Sequence, residues 1–174
     1  MKKIDKIMFA ETLNKFYFPY QNCYFPLKRH CKEIVSFDVR WNYFTYGKDE
    51  MNKRFLEFIK KEQPDMIFIW TRNDEFYPET LLEIREISPK TKVFNIFGDD
   101  DAAFKNFSRY FTLFVDYALT GQPEYLKKYE QDGVKNVFFI IGLDIHFFKP
   151  MNLEKKYDVT FIGSQKMDKS GRYE

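Results

Sequence analysis

The chain alternates two kinds of apolar pattern. Short runs rich in Val, Ile and Phe, mostly without strict alternation, fall at residues 7–10, 34–39, 66–70, 93–97, 113–119, 137–141 and 159–162. Runs of this kind predict strands buried on both faces of a parallel sheet. Helical patterns lie between them. Over 49–62, Met51, Phe55, Phe58 and Ile59 fall at i, i+4, i+7 and i+8, one face of a helix. The segment 78–87 opens on Pro78 with Glu79 beside it and stops before Ser88-Pro89. The segment 123–132 repeats the device, with Tyr125, Leu126 and Tyr129 on one face and Gly133 just past its end. Residues 26–32 form a weaker predicted helix. Strand–helix alternation with short links predicts an α/β fold, a Rossmann-like doubly wound parallel sheet with right-handed crossovers.

One change of pattern divides the chain. Residues 149–156 are polar and weakly patterned, and a new apolar run follows at 157–162, ending in Gly163-Ser164. A first domain is therefore expected over 1–150. Residues 151–174 read as a hinge and the start of a truncated second domain.

Composition narrows the function. The 174 residues carry 28 Lys+Arg against 26 Asp+Glu, a net charge of +2. That balance argues against a nucleic-acid partner. Cys23 and Cys31 do not make a disulfide framework. The apolar run at 7–10 is too short for a signal-peptide core and is followed by Glu11, and no run approaches a membrane span. A soluble cytoplasmic protein with no transmembrane segment is expected. The unusual feature is aromatic content: 21 Phe, 12 Tyr and 2 Trp make up 20% of the chain. Phe55, Phe58, Phe68, Phe94, Phe111, Phe114 and Phe138 fall on predicted core faces. Phe16, Tyr17, Phe18, Tyr20, Trp41, Tyr43, Phe44, Trp70 and Phe97 remain as candidates for stacking on a sugar.

In doubly wound sheets ligands bind at the carboxyl ends of the strands, so the residues just after each strand carry the candidate chemistry. After 93–97 come Gly98, Asp99, Asp100 and Asp101. Carboxylates there can act as general base, orient hydroxyls or hold a divalent cation, whereas Asp100 or Asp101 can also simply cap the next helix. After 66–70 come Thr71, Asp74 and Glu75, which with Trp70 are candidate substrate contacts or a polar capping loop. After 137–141 comes His146, either a base or a packed residue. Gly163, Ser164 and Arg172 follow the last predicted strand and are candidates for meeting a phosphate. No GxGxxG follows the first strand, and there is no Walker A loop, GxSxG elbow or zinc-spaced Cys/His cluster.

Several runs together resemble the spore-maturation CgeB-like family of GT-B glycosyltransferases. They are QPDMIF at 63–68 with Asp74-Glu75 and PETL at 78–81, then FGDD at 97–100 with Phe104 and NFSR at 106–109. Further on come YEQDGVKNV at 129–137, GLD at 142–144 with FKP at 148–150, and YDVTFIGS at 157–164. The resemblance runs from about Phe25 to the end; the aromatic stretch 16–25 has no counterpart. It implies the acceptor-side, N-terminal half of an enzyme that transfers a sugar from a nucleotide sugar, usually without a metal. No cofactor is then expected, the partners being a nucleotide sugar and an acceptor. Asp99 and Asp100 would be the catalytic base or position acceptor hydroxyls. Gly163, Ser164 and Arg172 would face the donor diphosphate. Two other readings stand beside it. Asp99-Asp100-Asp101 fits the DxD pattern of metal-dependent GT-A glycosyltransferases, and a non-catalytic Rossmann-like binding module needs no chemistry at all.

Overall fold

The structure, a computed structural model, describes residues 4–72, 74–140, 142 and 144–161. Strand β1 (Ile4–Ala10) leads through a loop and a π-helical turn, Tyr20–Tyr24, into helix α1 (Phe25–His30). Then follow β2 (Cys31–Phe37), α2 (Val39–Glu62), β3 (Met66–Ile69), α3 (Pro78–Ile87) and β4 (Lys92–Phe97). The β4–β5 connection is built from short pieces: α4 (Asp100–Ala103), a π-helical turn Phe104–Ser108, α5 (Arg109–Phe111) and a 3-10 turn Thr112–Phe114. Strand β5 (Tyr117–Thr120), α6 (Glu124–Gln131) and β6 (Val137–Phe139) complete the unit. All six strands pair in parallel, in the order β2-β1-β3-β4-β5-β6. The predicted α/β doubly wound sheet is thus the fold. Strand order reverses at β1, which makes the crevice between the ends of β1 and β3 the topological switch point.

The two faces of the sheet are covered unequally. Met8, Ala10, Ile67, Ile69, Val93, Phe97 and Ala118 pack on one face against Met51, Phe55 and Ile59 of α2 and Leu81 and Ile84 of α3. On the other face Ile7, Phe9, Met66 and Phe68 pack against Tyr20, Cys23, Tyr24 and Leu27 of the α1 region. No described helix covers that second face over β6, an edge strand. Phe138 is consequently half exposed rather than core.

Several boundaries differ from the pattern; β1 and β2, for instance, begin three residues earlier. Helix α2 is two helical segments: the second contains the predicted 49–62 helix, and the first is started by Asp38, whose side chain accepts the Trp41 N–H at 2.8 Å, the two being broken apart at Gly47, whose φ is +81°. Glycine reaches that angle without steric cost. Strand β5 starts at Tyr117 instead of residue 113. The Asn136 amide donates to the carbonyls of Thr112, Val115 and Asp116, which holds the preceding residues in a turn. The last predicted strand, 159–162, is not formed over its described part. Tyr157, Val159 and Phe161 are exposed, and none of the strand pairings includes them. Among the described residues no helix is long and apolar enough to cross a membrane.

Candidate functional site

A cavity of about 900 Å³ opens at the carboxyl ends of β3, β4, β5 and β6. Its walls come from the loop after β1 (Tyr17, Phe18, Asn22, Cys23), the ends of β3 (Trp70, Thr71, Arg72) and β4 (Phe97, Gly98, Asp99), and the chain past β6 (Ile140, Gly142, Asp144). Its place agrees with the rule that parallel α/β sheets bind ligands beyond their carboxyl edge.

The aromatic residues sort themselves cleanly. Tyr17, Phe18, Trp70 and Phe97 line the cleft, and Phe18 meets Trp70 edge to face at 6.1 Å. Gly98 lies beneath the indole: a Cβ there would sit 3.5 Å from Trp70 Cζ2, an ordinary contact. Tyr20 instead stacks on Tyr24 at 4.6 Å as packing. Phe16, Trp41, Tyr43 and Phe44 do not line this cavity.

The three carboxylates after β4 go to different environments. Asp99 is exposed and lines the cleft. It begins α4 through its backbone carbonyl, which accepts from Ala102 and Ala103, and its side chain makes no capping bond. Its carboxylate is therefore not committed to holding the helix. Asp100 is fully buried. Its Oδ1 accepts the hydroxyls of Ser108 at 2.5 Å and Tyr129 at 2.9 Å, and its Oδ2 accepts Thr120 at 2.6 Å. Burial and three hydroxyl donors remove Asp100 from the catalytic pair and make it a tie between the β4–β5 connection, β5 and α6. Burial also pushes the Tyr129 hydroxyl well above its ordinary range, so it stays protonated and donates. Asp101 is exposed and does not line the cleft; its N–H donates to Gln122. The DxD reading requires Asp99 and Asp101 to share a cation, and the fold does not bring both to this cavity. Among the described residues no group of three or more His, Cys, Asp or Glu could hold a metal ion.

The loop after β3 is split as well. Thr71 lines the cleft, but it is buried and its N–H and hydroxyl both donate to the buried Asn95 Oδ1, at 3.3 and 3.1 Å. That spends the hydroxyl on holding the loop. Asp74 and Glu75 turn away from the cavity. Asp74 is exposed and pairs with Lys48 at 3.2 Å, and Glu75 accepts the Arg72 N–H at 3.3 Å. Neither lines the cleft; with Arg72, Arg40, Tyr43 and Phe44 they line a smaller cavity of about 130 Å³. His146 is exposed and also absent from the cleft wall. Its neighbour Asp144 takes the wall position instead. Asp144 is buried, accepts Arg29 at 2.6 Å and the His146 N–H at 3.0 Å, and donates its own N–H to Asn22. The Arg29 guanidinium holds its carboxyl below the usual carboxylate range. Gly163, Ser164 and Arg172 lie outside the described residues.

Glu11, which the sequence reading did not single out, and Arg72, which belongs to the loop after 66–70 that it did, sit at the switch point. Glu11, just past β1, is 2% exposed, and Arg72 lies 3.6 Å from its Oε1. Burial pushes the Glu11 carboxyl up, more than the Thr12 N–H and Arg72 pull it down. Cys23 is pushed up to about 12 by burial, with the Glu11 charge adding to the shift, so its thiol is unreactive. The signal for Glu11 was present: a charge directly after a buried run, at a carboxyl strand end.

No family model and no curated protein matches the sequence. Among solved structures, a two-component response regulator of the LuxR family from Aurantimonas sp. SI85-9A1 is similar to this chain. The match has a TM-score of 0.44 at 12% identity and covers 78% of this chain and 90% of that one.

Proposed function

We propose that the chain is the acceptor-side half of a nucleotide-sugar-dependent GT-B glycosyltransferase, acting in the cytoplasm. The observation that carries this reading is the cleft itself. An aromatic wall of Tyr17, Phe18 and Trp70 faces a carboxylate, Asp99, that no helix cap consumes. Flat sugar faces stack on aromatic rings, and a free carboxylate at the rim can accept a proton from a sugar hydroxyl. In this reading Asp99 takes the acceptor hydroxyl proton as that oxygen bonds to the donor's anomeric carbon. The bond from that carbon to the nucleoside diphosphate breaks, and the diphosphate leaves with the electron pair. Stabilising its charge falls to the donor half, where Gly163, Ser164 and Arg172 are assigned, and the reading requires no metal.

The test is ligand-observed NMR on this chain with a panel of glycosides and UDP. Glycosides are expected to bind, with binding lost in Phe18→Ser and weakened in Asp99→Asn. UDP is expected not to bind. Failure of every glycoside, or sugar transfer catalysed by these 174 residues alone, would overturn the assignment.

A further inference from the structure

Among the described side chains that line the cleft, Arg72 carries the one positive charge. Its surroundings hold it as a recognition group. The guanidinium lies over the Tyr17 ring at 4.7 Å from the centroid, which sets the plane of the fork. Beneath it Glu11 is almost wholly buried, and at 3.6 Å the pair lies beyond hydrogen-bond reach. Glu11 Oε1 makes no hydrogen bond, and the Thr12 and Arg72 groups beside the carboxyl offset its burial only in part. A buried carboxylate left this way costs stability, so it is poorly explained as a device for holding the fold. It does keep a cation in place at the mouth of the switch-point crevice, where a third of the Arg72 side chain stays exposed. Among the described residues the other charged groups lining the cleft are Asp99 and Asp144, the latter paired with Arg29.

We propose that Arg72 is the anion-recognising residue of this cleft and pairs with a carboxylate or phosphate group carried by the sugar acceptor. The proposal rests on the glycosyl-acceptor reading and deepens it to an anionic substrate class. A guanidinium forks two N–H donors onto such a group, and a charge-assisted pair of that kind is about twice as strong as a neutral hydrogen bond. The aromatic wall then takes the sugar face while Asp99 remains at the rim for the reacting hydroxyl.

The test compares binding of glucuronate, glucose 6-phosphate, methyl glucoside and inorganic phosphate to the intact chain by calorimetry and NMR. Anionic sugars are expected to bind about tenfold more tightly than methyl glucoside, with the advantage shrinking as salt rises. Glucuronate against glucose 6-phosphate distinguishes a carboxylate from a phosphate acceptor. Arg72→Gln is expected to abolish the advantage, read as the ratio of anionic-sugar to methyl glucoside affinity in the same variant. Arg72→Lys is expected to keep part of it, chiefly for phosphate. Because Arg72→Gln strands the Glu11 charge, the double variant Glu11→Gln/Arg72→Gln serves as its folded equivalent. Methyl glucoside binding without any anionic advantage, or an advantage that survives in both Gln variants, overturns the Arg72 assignment and leaves the acceptor reading standing. Arg72-dependent binding of inorganic phosphate with no sugar binding has the reverse result. It supports the anion site and sinks the acceptor reading.

Discussion

Removing the Asp100 carboxylate tests the hub that separates the buried aspartate from its cleft-facing neighbour. The side chain is fully buried and accepts three hydroxyl hydrogen bonds, from Ser108, Thr120 and Tyr129. In Asp100→Asn one oxygen becomes an NH₂ donor. With the amide oxygen kept toward Ser108 and Tyr129, the NH₂ faces Thr120 Oγ1. That atom already accepts the Gln122 N–H at 3.1 Å, and its own proton is left with the Gln122 carbonyl at 3.5 Å, a poor acceptor. One hydrogen bond is lost and two are weakened by loss of charge, a cost of about 2–4 kcal/mol. Tyr129→Phe removes a single donor and is expected to cost about 1.5–3 kcal/mol. In the Asp100→Asn background the same change meets only a neutral acceptor and is expected to cost about 0.5–1.5 kcal/mol, so the pair is non-additive. Urea unfolding followed by far-UV circular dichroism reads both. At a typical slope of about 2 kcal/mol/M, a loss of about 3 kcal/mol moves the midpoint by about 1.5 M with the slope unchanged. The alkaline limb gives a second reading. Burial raises the Tyr129 hydroxyl in the folded chain, so its contribution is fully present below the ordinary tyrosine value of 10.0 and is lost as pH rises beyond it. Tyr129→Phe should flatten that loss. The reasoning fails if Asp100→Asn lies within about 0.5 kcal/mol of the parent, or if Tyr129→Phe costs the same in both backgrounds.

Two further outcomes follow from the other buried carboxylates. Burial raises Glu11 in the folded chain, so the site favours the protonated form and loses stability as pH rises above the ordinary carboxylate value. Glu11→Gln should therefore raise the thermal midpoint at pH 7, with the gain vanishing toward pH 4; a destabilised variant would show that the Arg72 pair outweighs burial. Asp144 has the opposite sign: the Arg29 contact lowers it, and its stabilisation is present at neutral pH and lost only as pH falls through the lowered value. Asp144→Asn should speed amide exchange over 142–148 at neutral pH while leaving β1–β4 protected, and unchanged exchange there would show that the Arg29 and Asn22 contacts do not hold the segment.

The elements were legible because each obeys a local rule. Four-residue apolar runs such as 66–69 have no polar face to expose, so they belong in a sheet covered on both sides. Helix α3 matched residue for residue because Pro78 at its first turn and Ser88-Pro89 after it are covalent constraints on the backbone. The switch-point rule then pointed to the carboxyl edge of the sheet, where a cleft opens with Trp70 and Asp99 in its wall. What local rules could not decide was the direction of each side chain within a loop. Asp99, Asp100 and Asp101 are chemically identical neighbours. Only the start of α4, with Ser108, Thr120 and Tyr129 arriving from three other elements, makes the middle one a buried tie and leaves the first at the cleft. Glu11 and Arg72 are 61 positions apart, and Arg29 and Asp144 are 115 apart. Such pairs exist only once a crossover has brought two strand ends together. Pattern along the chain determined the sheet and its ligand edge, because hydrophobic periodicity and turn chemistry act over a few residues. The tertiary structure decided which charges face the cleft, because burial and charge pairing are properties of residues that meet across the fold.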